Sequence, residues 1–213
     1  MRPRGDWRVY VITGEERSRG RSHVEVAAAA VRGGATAVQL RMKGAPARTI
    51  VETARRIAAM CREAGVAFIV NDRVDVAIAG EADGAHVGQD DLPAAAARGL
   101  LGAGRWLGVS AATVEEARDA ERAGADYLGV GAVYPTGTKA DAGAPVGLGR
   151  IAELRRASSL PVVGIGGITI ANAAAVIRAG AAGVAVITAI TLADDMVKAT
   201  QRLREQVDAA LQG

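Results

Sequence analysis

The sequence predicts an α/β fold, a TIM-type (β/α)8 barrel formed as a single domain over residues 1–213. Three observations carry this. Short β-branched runs alternate with alanine-rich amphipathic stretches in units of about 20 to 30 residues, and eight such units can be counted. The runs are apolar along most of their length, so they need cover on both faces, which a closed parallel sheet wrapped in helices supplies. A related joint also recurs, as Arg32-Gly33-Gly34-Ala35, Arg122-Ala123-Gly124-Ala125 and Arg178-Ala179-Gly180-Ala181, each shortly before a strand.

In order, the first strand is expected over Arg8 to Thr13, with a helix over His23 to Arg32 that closes on Gly33. The second strand, Ala37 to Arg41, precedes a helix over Ala47 to Ala64 closed by Gly65. Ala67 to Asn71 and a short helix over Arg73 to Ala79, closed by Gly80, make the third unit, and Gly84 to Val87 with Leu92 to Leu101 the fourth. Trp106 to Ser110 leads to a helix over Val114 to Ala123, for which Thr113 is the natural N-cap ahead of Glu115-Glu116 and Gly124 the end. The last three units pair Tyr127 to Gly131 with Leu148 to Ala157, Val162 to Gly166 with Ala171 to Ala179, and Gly183 to Ile187 with Asp194 to Ala210. The glycines at 33, 65, 80, 124 and 180 are expected to close their helices as left-handed caps. A doubly wound open sheet is the structural alternative, but it would usually carry a glycine-rich dinucleotide turn where this chain has Gly14-Glu15-Glu16.

Composition narrows the function. Half the residues are hydrophobic and 3% aromatic, which excludes a disordered chain and leaves a core of Ala, Val, Ile and Leu. The net charge of +3 is spread along the chain, with no clustered basic face or aromatic stacking platform for nucleic acid; the arginine-rich segment Glu16 to Arg21 fits a solvated loop. A lone cysteine, Cys61, lies on an expected helix without activating charges and is assigned to the core. It can form no internal disulfide, there is no structural zinc spacing, and no apolar signal-peptide core precedes the first strand. A cytoplasmic location is expected, with small-molecule substrates, no membrane contact and a homo-oligomer open. Lysine is scarce: Lys43, Lys139 and Lys198 stand among 26 cations, so a lysine in a loop draws suspicion.

Barrel active sites lie at the carboxyl ends of the strands. There, alternation puts Gln39, Arg41 and Lys43 on one side of the second strand, an amide beside two cations. The third strand ends in Asn71-Asp72-Arg73 and the fourth runs on to Gln89-Asp90-Asp91. Asp72 and Asp91, on neighbouring strand ends, are candidates to share a hard divalent cation such as Mg2+, whose shell water and phosphate would complete; taken alone, either could equally cap the helix that follows. His86 shows no acid or nucleophile partner at a diagnostic spacing and fits a packed or loop histidine. Ser110, without a base nearby, is a hydrogen-bond donor to an anion rather than a nucleophile. The stretch Tyr134-Pro135-Thr136-Gly137-Thr138-Lys139 reads as a flap with two hydroxyls and a cation. Gly166-Gly167 and Ile187-Thr188 follow the last two strands, where glycines and a short helix start let backbone amides approach a phosphate.

These residues together resemble the thiamine phosphate synthase (thiamine-phosphate pyrophosphorylase) family. The resemblance is carried in family order by Val38 to Arg41 with Lys43, Asn71-Asp72-Arg73, Gly84 to Gln89 with Asp91-Leu92-Pro93, Gly108-Val109-Ser110, Gly124 to Gly131, Pro135 to Lys139 and Gly164 to Ile168, over about Tyr10 to Ile190. It implies condensation of a hydroxymethylpyrimidine diphosphate with a thiazole phosphate, by ionisation of the C–O bond and capture by the thiazole nitrogen. It implies that Gln39, Arg41, Lys43, Asn71, Ser110 and Lys139 hold the pyrimidine diphosphate, that Asp72 and Asp91 hold Mg2+, and that Thr136, Thr138, Gly167, Ile187 and Thr188 receive the thiazole phosphate. Arg41, Lys43, Ser110 and Lys139 would carry the catalytic load at the leaving group. The chain departs from the pattern at Ala112, where many members have histidine, at Gly14, where aspartate is frequent, and at Thr188, where serine is common. The alternatives are a thiazole tautomerase-like enzyme, thought to use a histidine near position 112, and a non-catalytic phosphate-binding barrel.

Overall fold

In a computed structural model, which describes residues 5–14, 17–137 and 144–213, eight parallel strands close into a barrel in sequence order, β1 meeting β8. The strands are β1 (Val9–Ile12), β2 (Ala37–Leu40), β3 (Ala67–Asn71), β4 (Gly84–Val87), β5 (Trp106–Ser110), β6 (Tyr127–Val130), β7 (Val162–Ile165) and β8 (Gly183–Val186). The helices are α1 (His23–Arg32), α2 (Ala47–Ala64), α3 (Val74–Ala79), α4 (Ala94–Leu101), α5 (Val114–Arg122), α6 (Gly147–Ala157), α7 (Ala173–Arg178), α8 (Thr188–Thr191) and α9 (Met196–Gln212). The expected eight units are therefore present. Five strands end one residue early, with Thr13, Arg41, Gly131, Gly166 and Ile187 lying just past their ends.

The period of two sorts each strand into two cores. Outward residues such as Val9, Val11, Val38, Leu40, Phe68, Val70, Leu107 and Leu128 pack against the helices. Inward residues form a separate cluster of Trp7, Tyr10, Ile12, Ala37, Ala67, Ile69, Tyr127, Val163, Ala185 and Ile187. Both tryptophans and two of the three tyrosines meet there: Trp7 lies 4.1 Å from Tyr127 and 5.5 Å from Trp106 between ring centroids. The few aromatics of this chain are thus spent on plugging the barrel beneath the site. Outside, α5 buries only the small side chains of Ala117 and Ala120. Cys61 is fully buried on α2, as expected, and burial pushes its thiol up to about 12.

At the amino-terminal rim, the residue before each of three alternate strands takes the N–H of the strand preceding it. Val9 donates to Thr36 Oγ1 at 3.0 Å, Phe68 to Asp83 Oδ2 at 2.9 Å and Leu107 to Asp126 Oδ2 at 2.7 Å. Strand-end donors that would otherwise be orphaned are satisfied. The recurrent joint places Gly34, Gly124 and Gly180 at φ of 86°, 82° and 104°, and Ala35, Ala125 and Ala181 donate back to Ala30, Ala120 and Val176. Two expected left-handed caps are corrected: Gly33 and Gly80 have φ of −82° and −90°. They are glycine for space, since a Cβ would lie 2.4 Å from Thr200 Cβ and 2.6 Å from Ala54 Cβ respectively.

Candidate active site

A cavity of about 350 Å3 opens at the carboxyl end of the barrel, lined by residues at or just beyond every strand from β2 to β8. Arg41 and Lys43 come from the end of β2, Asn71 and Asp72 from β3, and Asp90 and Asp91 from the loop after β4. The expected Arg41, Lys43, Asn71, Asp72 and Asp91 are thus brought together, with Asp90 beside them. Lys43 Nζ lies 3.4 Å from Asp72 Oδ2. Burial raises the Asp72 carboxyl above its ordinary value, the facing Asp91 carboxylate raises it further, and Lys43 opposes both. Asp91 is fixed by the Gly88 N–H, which donates to Oδ2 at 2.7 Å. Neither aspartate caps a helix: α3 and α4 start after Arg73 and Pro93 without a side-chain cap. Asp72 instead holds a left-handed backbone, φ 61°, which Asp and Asn tolerate better than most residues. Arg41 N donates to Thr13 Oγ1 at 3.1 Å, while its buried Nε has no protein partner among the described residues.

No group of three or more metal-ligating side chains occurs among the described residues. A hard cation held by Asp72 and Asp91 alone would take its remaining oxygens from water and a bound phosphate, as Mg2+ commonly does. The donor chemistry fits: Asp72 has Lys43 beside it and is still raised by the facing Asp91, a repulsion that a divalent cation between the two carboxylates would relieve.

The opposite wall is built from backbone. Gly166 and Gly167 have φ of 93° and 63°; at Gly167 a Cβ would sit 2.6 Å from Pro135 O. Asn172 pins this turn, donating through Nδ2 to Gly167 O at 3.0 Å and accepting from Thr169 N at 2.7 Å. Ile187 and Thr188 line the same wall at the start of α8, a four-residue helix with no sequence period to announce it. Thr136 also lines the cavity, and Thr138 and Lys139 lie outside the described residues.

Between the two walls sits Ser110, whose Oγ lies 3.0 Å from His86 Nε2. His86 is therefore part of the cavity wall, bonded on its other side to Tyr127 Oη at 3.1 Å, rather than a loop residue. Gln39 does not line the cavity: it is buried beneath it, its amide donating to Tyr10 Oη at 2.8 Å. Gln89, absent from the expected set, donates to Ser110 O at 2.5 Å, and Glu116 accepts from Ala112 N at 2.6 Å. Thr113 caps α5 as expected, accepting from Glu116 N at 3.1 Å. Ala112 contributes only a methyl group to the wall.

The family model described as thiamine monophosphate synthase matches residues 9–190. A thiamine-phosphate synthase of Moorella thermoacetica is 54% identical over 204 residues, covering 96% of this chain and 97% of that protein. One from Chloroflexus aurantiacus is 54% identical over 202 residues, covering 95% and 93%. Among solved structures, a thiamine phosphate pyrophosphorylase from Pyrococcus furiosus superposes with a TM-score of 0.89 at 40% identity over 98% of both chains.

Proposed function

The chain belongs to the thiamine monophosphate synthase family, and on that premise we propose that its cavity makes thiamine phosphate. The enzyme is a transferase acting on small molecules: 4-amino-2-methyl-5-hydroxymethylpyrimidine diphosphate and a hydroxyethylthiazole phosphate condense with release of pyrophosphate, and of CO2 as well where the thiazole is carboxylated. The observation that carries this reading is the pairing of unlike walls in one cavity, cations and carboxylates on one side and glycine backbone on the other. A diphosphate that departs as a polyanion suits the first, and a phosphate monoester that stays bound suits the second.

Arg41 and Lys43 reach the diphosphate, and the free Arg41 Nε is a donor held ready for one of its oxygens. Ser110 and Asn71 donate at the pyrimidine side, and the family resemblance assigns Lys139 to the same diphosphate. The methylene C–O bond breaks, its electron pair leaving with pyrophosphate, and the lone pair of the thiazole nitrogen forms the new C–N bond. That nitrogen carries no proton, so the chain need supply no general base there. Its task is to meet charge as it builds on the leaving group, which preorganised cations do without reorganising. Asp72 and Asp91 would hold Mg2+, which when bound neutralises diphosphate charge. Gly167, Ile187, Thr188, Thr136 and Thr138 orient the thiazole phosphate through amides and hydroxyls.

The tautomerase alternative is not favoured, because Ala112 offers no proton-transfer group. The buried Cys61 fits a cytoplasmic enzyme, and no helix among the described residues is long and apolar enough to cross a membrane. The test is an end-point assay with both substrates and Mg2+, converting thiamine phosphate to fluorescent thiochrome, with and without chelator. Product lost on chelation is expected. A folded protein that binds the thiazole phosphate but gives no product would overturn the synthase reading, and chelator-insensitive product would overturn the metal assignment alone.

A further inference from the structure

Beneath the cavity a line of polar side chains crosses the barrel interior. Gln39 Nε2 meets Tyr10 Oη at 2.8 Å, Tyr10 Oη meets Tyr127 Oη at 2.9 Å, Tyr127 Oη meets His86 Nδ1 at 3.1 Å, and His86 Nε2 meets Ser110 Oγ at 3.0 Å. The five residues stand on β2, β1, β6, β4 and β5. The space they occupy is made for them: a Cβ on Gly108 would lie 2.2 Å from Tyr127 Cζ and 2.4 Å from His86 Nδ1, and one on Gly129 would lie 2.8 Å from His86 Cε1.

The direction of the line follows from counting protons. Tyr10 and Tyr127 are fully buried, and burial pushes both phenols up, so each is a neutral hydroxyl with a single proton. The amide of Gln39 donates to Tyr10, so the acceptor left for the buried Tyr10 proton is Tyr127 Oη, and that left for the Tyr127 proton is His86 Nδ1. An Nδ1 that accepts leaves the ring proton on Nε2. Nε2–H then donates to Ser110 Oγ, and the proton of Ser110 is turned away from His86.

We propose that this relay holds His86 as the neutral Nε2–H tautomer and points the Ser110 hydroxyl proton into the cavity, toward the anionic substrate. Gln39, Tyr10 and Tyr127 are thereby positioning residues that act through Ser110. The same polarity excludes His86 as a base toward Ser110, because the nitrogen that faces the hydroxyl already carries a proton. The kinetic consequence rests on Ser110 contacting the pyrimidine diphosphate as proposed above; the tautomer does not.

The chain has two histidines, so the imidazole 15N spectrum of the ligand-free protein can be assigned by what disappears in His86→Asn. His86 is expected in the Nε2–H form, shifting toward a mixture of tautomers in Tyr127→Phe, which keeps the ring stacked on Trp7. An Nδ1–H form, as would follow if Gln39 presented its carbonyl to Tyr10, or a tautomer unmoved by Tyr127→Phe, would overturn the relay whatever the activity. In the thiochrome assay, Tyr127→Phe is expected to lower kcat by about tenfold in the parent protein and by less than about twofold in Ser110→Ala, since groups acting through one another are not additive. Equal losses in both backgrounds would mark Tyr127 as merely structural and overturn its positioning role. Tyr10→Phe, one bond further back, repeats both measurements should Tyr127→Phe fail to fold. Absence of synthase activity from the parent protein would defeat the proposed function and leave the tautomer measurement intact.

Discussion

The two walls of the cavity handle anions by opposite means. Toward β2, β3 and β4 the wall is side chain: Arg41, Lys43, Asp72 and Asp91 bring charge, at the cost of two carboxylates facing each other in a half-buried place. Toward β7 and β8 it is main chain: Gly166 and Gly167 in left-handed conformations, pinned by Asn172, and the start of α8. The first wall suits a ligand whose charge rises during reaction, since charge answers charge most strongly at the moment it develops. The second suits a ligand whose phosphate is the same before and after. Charge changes should therefore act on kcat at the first wall, and backbone changes on KM at the second.

The largest effect is expected from Asp72→Asn. Asparagine accepts the left-handed backbone at this position, so the substitution removes charge with little change of shape. Thiamine phosphate formation should fall by roughly 100- to 1,000-fold in kcat, the scale of losing one preorganised electrostatic group. Thermal stability at neutral pH should hold or rise, because the like-charge contact with Asp91 is gone. The pH dependence separates this from a packing change. Burial and Asp91 raise the folded-state pKa of Asp72, so protonation favours the folded protein: this contribution is full below the unfolded pKa and is lost as pH rises through the folded one. The Tm advantage of Asp72→Asn over the parent, read by calorimetry without ligands, should shrink as pH falls from 7 toward 4. A variant with unchanged kcat would break the contrast between the walls.

Gly167→Ala probes the other wall. At φ 63° a Cβ costs about 1–2 kcal/mol of backbone strain, and here it would also press within 2.6 Å of Pro135 O. The turn must shift to admit it. KM for the thiazole phosphate should rise on the order of tenfold, the loss of one charge-assisted hydrogen bond of about 1.5 kcal/mol, with KM for the diphosphate little changed. A kcat loss at saturating substrates would show that this wall also shapes the reacting geometry.

This division was partly legible in the sequence. Alternation along β2 put Arg41 and Lys43 on one side, strand-end polar residues singled out Asp72, Asp91 and Ser110, and the loops after the last two strands singled out Gly167 and Thr188, all of which reach the cavity. What stayed hidden was lateral. His86 has Ser110 and Tyr127 as partners, 24 and 41 residues away, and no spacing along the chain reveals which side chains a closed barrel sets side by side. A signal did exist in the inward phase of the strands: Gly108 and Gly129 are the gaps left for a histidine ring on β4. Gln39 shares the phase of Arg41, but it lies one layer lower, where the aromatic plug replaces solvent. Strand alternation gives the side of the sheet and not the depth. The same limit explains Gly33 and Gly80, whose role depends on what packs against them from Thr200 and Ala54.

The smallest effect is expected at Thr188, and it is the sharpest test of what the second wall is made of. If backbone amides carry the phosphate, the side chain at the start of α8 supplies at most one supplementary hydroxyl contact. Thr188→Ser keeps that hydroxyl and should leave both KM values and kcat within about twofold, small beside the roughly 0.5–1.5 kcal/mol of a neutral hydrogen bond. Thr188→Val removes it while keeping the branched shape, and should raise KM for the thiazole phosphate about threefold to tenfold on the same scale. The diphosphate KM reports from the opposite wall and should not move. A far larger loss with Thr188→Val would mean that this hydroxyl is a principal phosphate ligand, so that the second wall, like the first, works through side chains.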